Sequence, residues 1–344
     1  MKKKNPPQEH SQLKFLVVGL GSMGKRRIRN LTYLGFRNII AAELNEARRK
    51  EVEKDFGIKA FSSFDEAIAE NPDAIIISTP PNLHTMFAKK AAELGKPFFI
   101  EASVLNDGLD EVNRIAKSKK AIAVPSCTMR FKQSIQKIKE LVEGGKIGKP
   151  LAFTYHMGQY LPDWHPWEDI SKFYVGKRET GAGREMFCFE LEWLTWIFGN
   201  LTAISCMKGK LSEMKADIDD AYAMLYKFSS GTVGTVMIDV ISRDPVRSLH
   251  IMGSEGSITW DWNTSTVRLY DPKSKSWSEF KEAEKVAQPG YWAKDDMYIE
   301  EMRYFVNCVS GAGKVSYSLD DDLRILKFLV DAETSSDKGV HIKV

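Results

Sequence analysis

The sequence has few cysteines, no long hydrophobic run and no strong excess of charge of either sign. Its four cysteines lie far apart, without Cys-x-x-Cys or metal-ligand spacing, which predicts buried free thiols in a reducing cytoplasm and no bound metal. No apolar run reaches membrane-spanning length. The 49 basic and 46 acidic residues give a formal net charge of +3, so neither nucleic acid nor a membrane is expected as a partner.

Length and local composition predict a short tail and two domains. Residues 1–12 carry three lysines directly after Met1 and contain two prolines but no apolar segment, which predicts a disordered tail rather than a secretory signal. At 344 residues the chain exceeds what one hydrophobic core usually serves. We predict a dinucleotide-binding domain at 13–127 and a substrate and oligomerisation domain at 128–344.

The most informative stretch is an apolar run that breaks into Gly19-x-Gly21-x-x-Gly24 before an amphipathic helix. In this pattern the first glycine permits a tight turn, the second lets the backbone approach a pyrophosphate, and the third lets helix pack on strand. The helix N-terminus adds free N–H groups and the positive end of its dipole. The motif predicts a dinucleotide site with contacts from Ser22 and Met23, and it leaves the chemistry open.

Strand and helix patterns alternate through the first domain and change in the second. Strands are predicted at 13–18, 38–42, 74–78, 97–101 and 121–124, with helices at 25–34, 46–56, 83–94 and 109–118 and a short helix from Ser63. Alternation with near-continuous apolar strands indicates a doubly wound parallel sheet. Beyond it we predict helices at 132–142, 184–198, 292–309 and 319–331 and strands at 151–157, 203–208, 221–228, 232–240, 247–252, 257–262 and 266–270. This is an α+β domain on a large, mostly antiparallel open sheet.

Two segments of the first domain carry further cofactor contacts. Glu43 ends the second predicted strand at the spacing of a carboxylate that accepts ribose hydroxyls, which favours NAD over NADP. Arg48 and Arg49 leave NADP possible, since a guanidinium can pair with its 2′-phosphate. The fourth strand runs into a loop that should border the nicotinamide. Its candidate residues are Thr79, Pro80, Asn82 and His84, with Asn82 equally suited to cap the helix expected at Leu83.

Several short motifs in order along the chain resemble the Gfo/Idh/MocA oxidoreductases. They are the glycine turn, Thr79-Pro80 with Asn82 and His84, Ala92–Pro97, Arg130-Phe131, Gly144–Gly148, Asp219-Asp220, Gly253–Ser257 and Ser318–Asp321. The resemblance implies a Rossmann domain, an α/β domain whose sheet forms a dimer or tetramer interface, and an active site between them. It also implies NAD or NADP as cofactor, a sugar or polyol as substrate, and Arg130 as a substrate contact.

The chain departs from that family where proton transfer is expected. Family members carry Glu-Lys-Pro after the fifth strand, and the lysine assists proton transfer; here the tripeptide is Glu101-Ala102-Ser103. Glu101 is kept as a cofactor contact. The family's glycine-rich turn leads into a helix with aspartate and histidine. In this chain the corresponding helix, around 184–198, has no histidine.

Other side chains are therefore candidates for the acid or base and for holding the substrate. For proton transfer we consider Glu190, Glu185 and His165, because a carboxylate in a partly apolar site can have a pKa near neutrality. For substrate binding we consider Arg130, Tyr155, Trp167, Lys177 and Arg184. Tryptophan stacks on sugar rings and the cations suit an acidic substrate, although a packed loop and a solvated face explain these residues equally well.

Three functions remain open from the sequence. The first is hydride transfer between a nicotinamide and a sugar or sugar derivative, with non-standard acid and base residues. The second is an NAD-using glycosidase that oxidises its substrate only transiently. The third is a non-catalytic cofactor-binding protein, which the missing lysine favours and the polar, aromatic loop disfavours.

Overall fold

A computed structural model of the protein describes residues 12–164, 166, 169–283 and 296–344. These residues form two compact units. The first takes in 12–128 and 296–323, and the second takes in 129–283 and 324–344. The sequence predicts one continuous second domain, 128–344, whereas residues 296–323 pack within the first unit. The predicted tail at 1–12 lies outside the described residues except for Gln12.

The first unit is built on a six-stranded parallel sheet with strand order β3-β2-β1-β4-β5-β6. Its strands are β1 (Phe15–Val18), β2 (Ile39–Ala42), β3 (Lys59–Phe61), β4 (Ala74–Ile77), β5 (Phe98–Ile100) and β6 (Ala123–Pro125). Its helices are α1 (Ser22–Tyr33), α2 (Glu46–Phe56), α3 (Phe64–Ile68), α4 (Pro81–Glu93), α5 (Leu109–Lys119) and α8 (Asp296–Val309). This strand order confirms the predicted doubly wound Rossmann sheet.

Burial explains why the first unit includes α8. Every residue of β1 and β4 is buried, as expected for strands covered on both faces. Apolar side chains of α8, among them Ile299, Met302 and Phe305, belong to the same core cluster as Phe15 and Leu31. The helix therefore completes one face of the sheet although 170 residues separate its first residue, Asp296, from the end of β6 at Pro125.

The second unit is built on a nine-stranded sheet with order β14-β13-β12-β11-β7-β10-β9-β8-β15. Its strands are β7 (Pro150–Tyr160), β8 (Leu201–Gly209), β9 (Ala221–Phe228), β10 (Val233–Asp239), β11 (Ile241–Gly253), β12 (Ser257–Asp261), β13 (Thr266–Asp271), β14 (Ser276–Lys281) and β15 (Ile342–Lys343). The helices are α6 (Gln133–Glu143) and α7 (Ala182–Phe198), and α9 (Leu319–Lys338) continues into this unit. Among the described strands of this sheet only β7 and β10 pair in parallel, which confirms the mostly antiparallel sheet.

The two faces of this sheet differ. On one face α7 packs its aromatic side chains on the strands: Phe198 stacks on Phe153 with ring centroids 4.6 Å apart, and Trp193 meets Tyr155 edge-on. On the other face, alternate residues of β8 and β9 are exposed, including Met207 at 80% and Leu225 at 54%. None of the described helices is long and apolar enough to cross a membrane.

The strands missing from the prediction share one property. β3, β14 and β15 are all edge strands, which pair on one side only, and β14 is almost wholly exposed. An edge strand needs no apolar run, so hydrophobic pattern alone misses it. Several helix ends also differ, and the largest differences are that α1 begins at Ser22 rather than Lys25 and that α9 continues to Lys338 rather than ending at 331. Residues 292–295 of the helix predicted at 292–309 lie outside the described residues.

Candidate functional site

The glycine-rich turn joins β1 to α1 where the strand order reverses. Ligands of open α/β sheets bind beyond the carboxyl ends of the strands at this place. Gly19 has a φ of +89°, and an added Cβ would lie 2.6 Å from the Ser78 carbonyl oxygen. A Cβ on Gly24 would overlap the carbonyl oxygen of Gly19. These two glycines are therefore required by the fold itself.

Gly21 is different because the fold does not require it. Its backbone is extended, with φ −69° and ψ −167°, and no atom of the described residues lies within 4 Å of an added Cβ. α1 begins at the next residue, and Ser22 and Met23 form its half-buried first turn. The N–H groups of a first turn lack partners within the helix, and the dipole adds positive charge. This open cradle fits the pyrophosphate of a dinucleotide.

Glu43 is fixed beside the cradle at the end of β2. Its Oε2 accepts a hydrogen bond from the Leu20 N–H at 2.8 Å, and its Oε1 accepts one from the Asn45 N–H at 2.9 Å. Arg49 donates to the Glu43 carbonyl oxygen at 2.7 Å, and Arg48 Nη1 lies 3.9 Å from Glu43 Oε2. The carboxylate thus stands where ribose hydroxyls are expected, and Arg49 serves the backbone instead of facing a 2′-phosphate.

The loop after β4 contains two buried polar atoms with unmet hydrogen-bonding capacity. His84 Nε2 lies 2.8 Å from the Thr79 carbonyl oxygen, to which it donates as the neutral tautomer, since burial lowers the pKa of His84 to about 4. His84 Nδ1 and Thr79 Oγ1 are buried without a hydrogen-bond partner among the described residues. Buried polar groups are normally paired, so this pair fits a polar ligand group such as a carboxamide.

Asn82 does not cap α4. The helix begins at Pro81 with Pro80 at the N-cap, and Asn82 is an exposed residue of the first turn. A proline at the first helical position costs nothing because its missing N–H would have no partner there. The predicted capping role of Asn82 is therefore wrong.

Glu101 is held by a buried arginine that the sequence did not reveal. Arg27 of α1 donates from Nε and Nη2 to the two carboxylate oxygens of Glu101 at 2.7 and 2.8 Å, and Ser78 Oγ donates to Oε1 at 3.2 Å. Arg27 Nη1 also lies 2.7 Å from Glu301 Oε2 in α8. Both Arg27 and Glu301 are fully buried. An arginine on the apolar face of an amphipathic helix was the available signal.

Glu301 extends this network to the end of the sheet. Its carboxylate accepts hydrogen bonds from Ser126 Oγ, the Cys127 N–H and Thr128 Oγ1 at 2.7–2.9 Å. Burial raises the pKa of Glu301, while Arg27 opposes that shift. Glu101 is consequently a positioned carboxylate, and the next residue, Ala102, offers no group for proton transfer.

In the second unit, Glu190 is enclosed by three donors. Tyr155 OH lies 2.5 Å and Trp193 Nε1 2.8 Å from Oε2, and Arg247 Nη2 lies 2.7 Å from Oε1. Glu190 is completely buried, and burial raises the pKa of Tyr155. The structure thus brings together two predicted residues, Glu190 and Tyr155, as parts of a core ion-pair network. It does not place Glu190 as an open proton acceptor.

The predicted cationic substrate contacts are placed separately. Arg130 pairs with Glu192 of α7 and lies over the Trp196 ring, and Arg184 Nε lies 2.8 Å from Glu333 Oε1 of α9. Lys177 is exposed at an open cavity of about 420 Å³. That cavity is also lined by Arg178, Lys210, Lys215 and Asp217. Arg130 and Arg184 are therefore engaged by carboxylates, and Lys177 remains accessible.

Of the remaining candidates only Glu185 can be placed. It lies half-buried in the first turn of α7, where the helix dipole favours a carboxylate. His165 and Trp167 lie outside the described residues.

Comparison with known proteins now gives the family. Residues 13–125 match the oxidoreductase family with an NAD-binding Rossmann fold, and residues 135–259 match the GFO/IDH/MocA C-terminal domain. The chain belongs to the Gfo/Idh/MocA family. It is an NAD(P)-dependent oxidoreductase, and the predicted family, Rossmann domain and NAD cofactor are confirmed.

Inositol dehydrogenases are among the similar curated proteins. The scyllo-inositol 2-dehydrogenase (NAD(+)) of Bacillus subtilis is 27% identical over 290 residues, which cover 76% of this chain and 84% of that protein. The myo-inositol 2-dehydrogenase of Thermotoga maritima is 24% identical over 345 residues, covering 95% and 97%.

Solved structures show the same fold. An Agrobacterium radiobacter oxidoreductase in complex with NAD+, L-tartaric acid and magnesium has a TM-score of 0.85 at 16% identity, covering 96% of this chain and 98% of that one. A levoglucosan dehydrogenase in complex with NADH has a TM-score of 0.83 at 20% identity, covering 96% and 99%.

Proposed function

We propose that this oxidoreductase transfers a hydride between the nicotinamide of NAD and a hydroxyl-bearing carbon of a sugar or sugar derivative. The observation that carries the proposal is the open cradle at Gly21 together with the unmet polar atoms of Thr79 and His84, in a chain similar to inositol dehydrogenases. When bound, the nicotinamide supplies C4 as hydride acceptor or donor.

The residues of the first unit would bind and orient the cofactor. The N–H groups of Ser22 and Met23 would face the pyrophosphate, and Glu43 would accept from the ribose hydroxyls. Each Glu43 carboxylate oxygen accepts one backbone hydrogen bond, so each keeps a lone pair that can accept a hydrogen bond from a ribose hydroxyl. A fixed carboxylate at this place also repels a 2′-phosphate, which supports NAD as the preferred cofactor over NADP.

We propose Glu185 as the first candidate for the group that moves the hydroxyl proton. Ala102 has no titratable group, and the carboxylate of Glu190 is already occupied by Tyr155, Trp193 and Arg247. Glu185 is half-buried in the first turn of α7, so part of its side chain reaches solvent, whereas Glu190 is completely buried. His165 is the second candidate, and Trp167 and Lys177 are candidates for contacts with the substrate.

The test is a panel of polyols, neutral sugars and acidic sugars with NAD+, followed through NADH absorbance. Net NADH formation that Glu185→Gln reduces by about 100-fold or more supports both reaction and base, since general acid–base catalysis contributes 10²–10⁴-fold. Glu179→Gln, an exposed glutamate nearby, is the matched control and should retain activity. Glycoside cleavage without net NADH would favour the glycosidase instead, and NADH binding without any turnover would contradict catalysis.

We also propose that the exposed face of the nine-stranded sheet joins copies of this chain into a dimer or tetramer. Met207 and Leu225 are large apolar residues at 80% and 54% exposure on adjacent strands, with Ala223 opposite Met207 in register. Contiguous apolar surface of this kind marks interaction sites. Light scattering should show an oligomer that Leu225→Asp dissociates, and a monomeric wild-type protein would refute the proposal.

A further inference from the structure

An open cavity of about 420 Å³ in the second unit is lined mainly by positively charged side chains. It lies between two segments of the chain, 171–178 before α7 and 210–217 between β8 and β9. Both segments belong to the second unit. The volume is within the range of roughly 300–1,000 Å³ that is typical of small-molecule sites. The charged residues that line the cavity are Lys177, Arg178, Lys210, Lys215 and Asp217.

Close packing fixes these two segments against each other. The Asp217 N–H donates to the Gly176 carbonyl oxygen at 2.9 Å, which joins the second segment to the first. Val175 of the first segment and Met214 and Ala216 of the second are members of one cluster of buried apolar residues. The walls of the cavity therefore have a spacing that is set by the core beneath them.

A buried carboxylate also holds the segment that carries Lys210 and Lys215. Asp220 is completely buried, and its two carboxylate oxygens accept hydrogen bonds from the N–H groups of Leu211 and Ser212 at 2.7 and 3.0 Å. The backbone that follows Lys210 is thus fixed without a ligand, which lowers the entropic cost of binding one.

The carboxylate that lines the cavity is engaged by an arginine. Arg178 Nη2 lies 2.8 Å from Asp217 Oδ1, and Arg178 Nη1 lies 3.1 Å from Asp219 Oδ1. Asp219 Oδ2 in turn lies 2.9 Å from Lys208 Nζ. Asp217 thus balances the charge of Arg178 rather than the charges of the lysines in the cavity.

Three lysines supply the remaining positive charge of the cavity. Lys210 Nζ donates to the Ala216 carbonyl oxygen at 2.7 Å and keeps two further N–H donors. Within the described parts of the chain, the side chains of Lys177 and Lys215 have no hydrogen-bond or ion-pair partner. Like charges that line one cavity repel each other, and an anion bound between them would remove this repulsion.

We propose that this cavity binds the phosphate group of a small molecule, with Lys177, Lys210 and Lys215 as the binding residues. A lysine ammonium group binds phosphate as a compact point charge. A phosphate monoester carries about −1.5 to −2 charges at pH 7 and offers three acceptor oxygens, which match three ammonium groups better than a single carboxylate does. A phosphorylated sugar and free inorganic phosphate both carry this group, and binding of either is independent of the proposed hydride transfer.

Isothermal titration calorimetry with the full chain measures the binding of inorganic phosphate at about pH 8, where phosphate is mainly dianionic. NADH is added first, so that a dinucleotide occupies the cradle at Gly21. Wild type should bind phosphate with a dissociation constant of about 1 mM or lower at low ionic strength. Lys177→Ala and Lys215→Ala should each weaken this binding about fivefold or more, because each removes a charged hydrogen-bond donor.

Lys172→Ala is the matched control. Lys172 is an exposed lysine of the same segment whose Nζ lies 3.7 Å from Asp169 Oδ2, and it does not line the cavity. The control removes the same charge, so its phosphate affinity should stay within about twofold of wild type. Lys177 and Lys215 are exposed, so their variants should keep the melting temperature of wild type. No phosphate binding by wild type at about 10 mM, or an affinity unchanged in both variants, would overturn the proposal.

Glucose 6-phosphate and glucose, titrated in the same way, identify the source of the phosphate group. Binding of glucose 6-phosphate about tenfold tighter than that of inorganic phosphate, and weakened in Lys215→Ala, would support a phosphorylated sugar as the ligand. Equal or weaker binding of glucose 6-phosphate would support free phosphate. Binding of glucose but of neither phosphate compound would overturn the proposal. Because binding is measured without turnover, failure of the proposed hydride transfer would leave these outcomes unchanged.

Discussion

The two units treat their candidate site residues in opposite ways. In the first unit the cradle at Gly21 is open, and Thr79 Oγ1 and His84 Nδ1 are buried without partners among the described residues. In the second unit three of the charged candidates are already engaged by other side chains. Glu190 is bound by three donors, Arg130 by Glu192 and Arg184 by Glu333.

This difference shows that a carboxylate or a cation can match the sequence pattern of a functional site and nevertheless form a structural ion pair. An ion pair between a helix and a sheet needs the same residue types as an acid–base pair. What separates the two is that Thr79 Oγ1 and His84 Nδ1 have no hydrogen-bond partner among the described residues, whereas each carboxylate oxygen of Glu190 has at least one donor group within 2.8 Å. Substitutions in each of the two units can test this difference.

The largest expected effect is the loss of stability on removing Glu190. Glu190→Ala should lower the free energy of unfolding by about 3–5 kcal/mol, because it removes the carboxylate that pairs with the buried Arg247 at 2.7 Å. Urea unfolding measures this, with Glu179→Gln, an exposed glutamate shortly before α7, as the matched control, expected within about 0.5 kcal/mol of wild type. A Glu190→Ala protein of normal stability but without turnover would place Glu190 in proton transfer and break the contrast.

The next largest effect concerns His84 and acid. Its pKa in the folded protein is about 4 against 6.5 for the ordinary group, so the unfolded chain binds the extra proton first. Stability should thus be unaffected above pH 7, fall as pH drops from 6.5 to 4 and level off below. The full loss from this group is about 3 kcal/mol.

His84→Gln keeps an N–H donor for the Thr79 carbonyl oxygen but cannot titrate. Its urea unfolding should therefore lose about 3 kcal/mol less than wild type between pH 7 and pH 4. An identical acid dependence in both proteins would mean that His84 is not held neutral, and the open character of the first unit would need another explanation.

A smaller effect distinguishes Gly21 from Gly24 of the glycine-rich turn. Gly21→Ala should fold normally, because its Cβ enters open space, yet weaken NADH binding at least about tenfold, or about 1.4 kcal/mol. Gly24→Ala is the counterpart, and it should instead lower the melting temperature because its Cβ overlaps the Gly19 carbonyl oxygen. Unchanged NADH affinity in Gly21→Ala would show that the pyrophosphate lies elsewhere.

Sequence patterns correctly predicted those features of the fold in which a residue type has only one physical reason to be present. The glycine turn, the buried strands β1 and β4 and the start of α9 at Leu319 are of this kind. They depend on residues close together in the chain. The order of the motifs was then enough to indicate the family.

Long-range pairing explains the parts that patterns could not predict. Arg27 forms an ion pair with Glu301, which lies 274 positions further along the chain. Tyr155 of β7 is hydrogen-bonded to Glu190 of α7, which packs on the same sheet. Nothing near Glu190 in the sequence shows that Arg247 will neutralise it. The return of α8 to the first unit is equally invisible, because its apolar face would suit either core.

The smallest effect is expected at Arg184, whose pair with Glu333 is partly exposed, with side-chain exposures of 16% and 22%. Arg184→Ala should cost only about 0.5–1 kcal/mol of stability, since solvent screens such a pair. If Arg184 serves α9 in this way, the KM for a reactive sugar should stay within about twofold of wild type, and Glu333→Gln should have the same small effect on stability. A KM that rises tenfold in Arg184→Ala but not in Glu333→Gln would instead make Arg184 a substrate contact, because only the arginine would then be needed by the ligand.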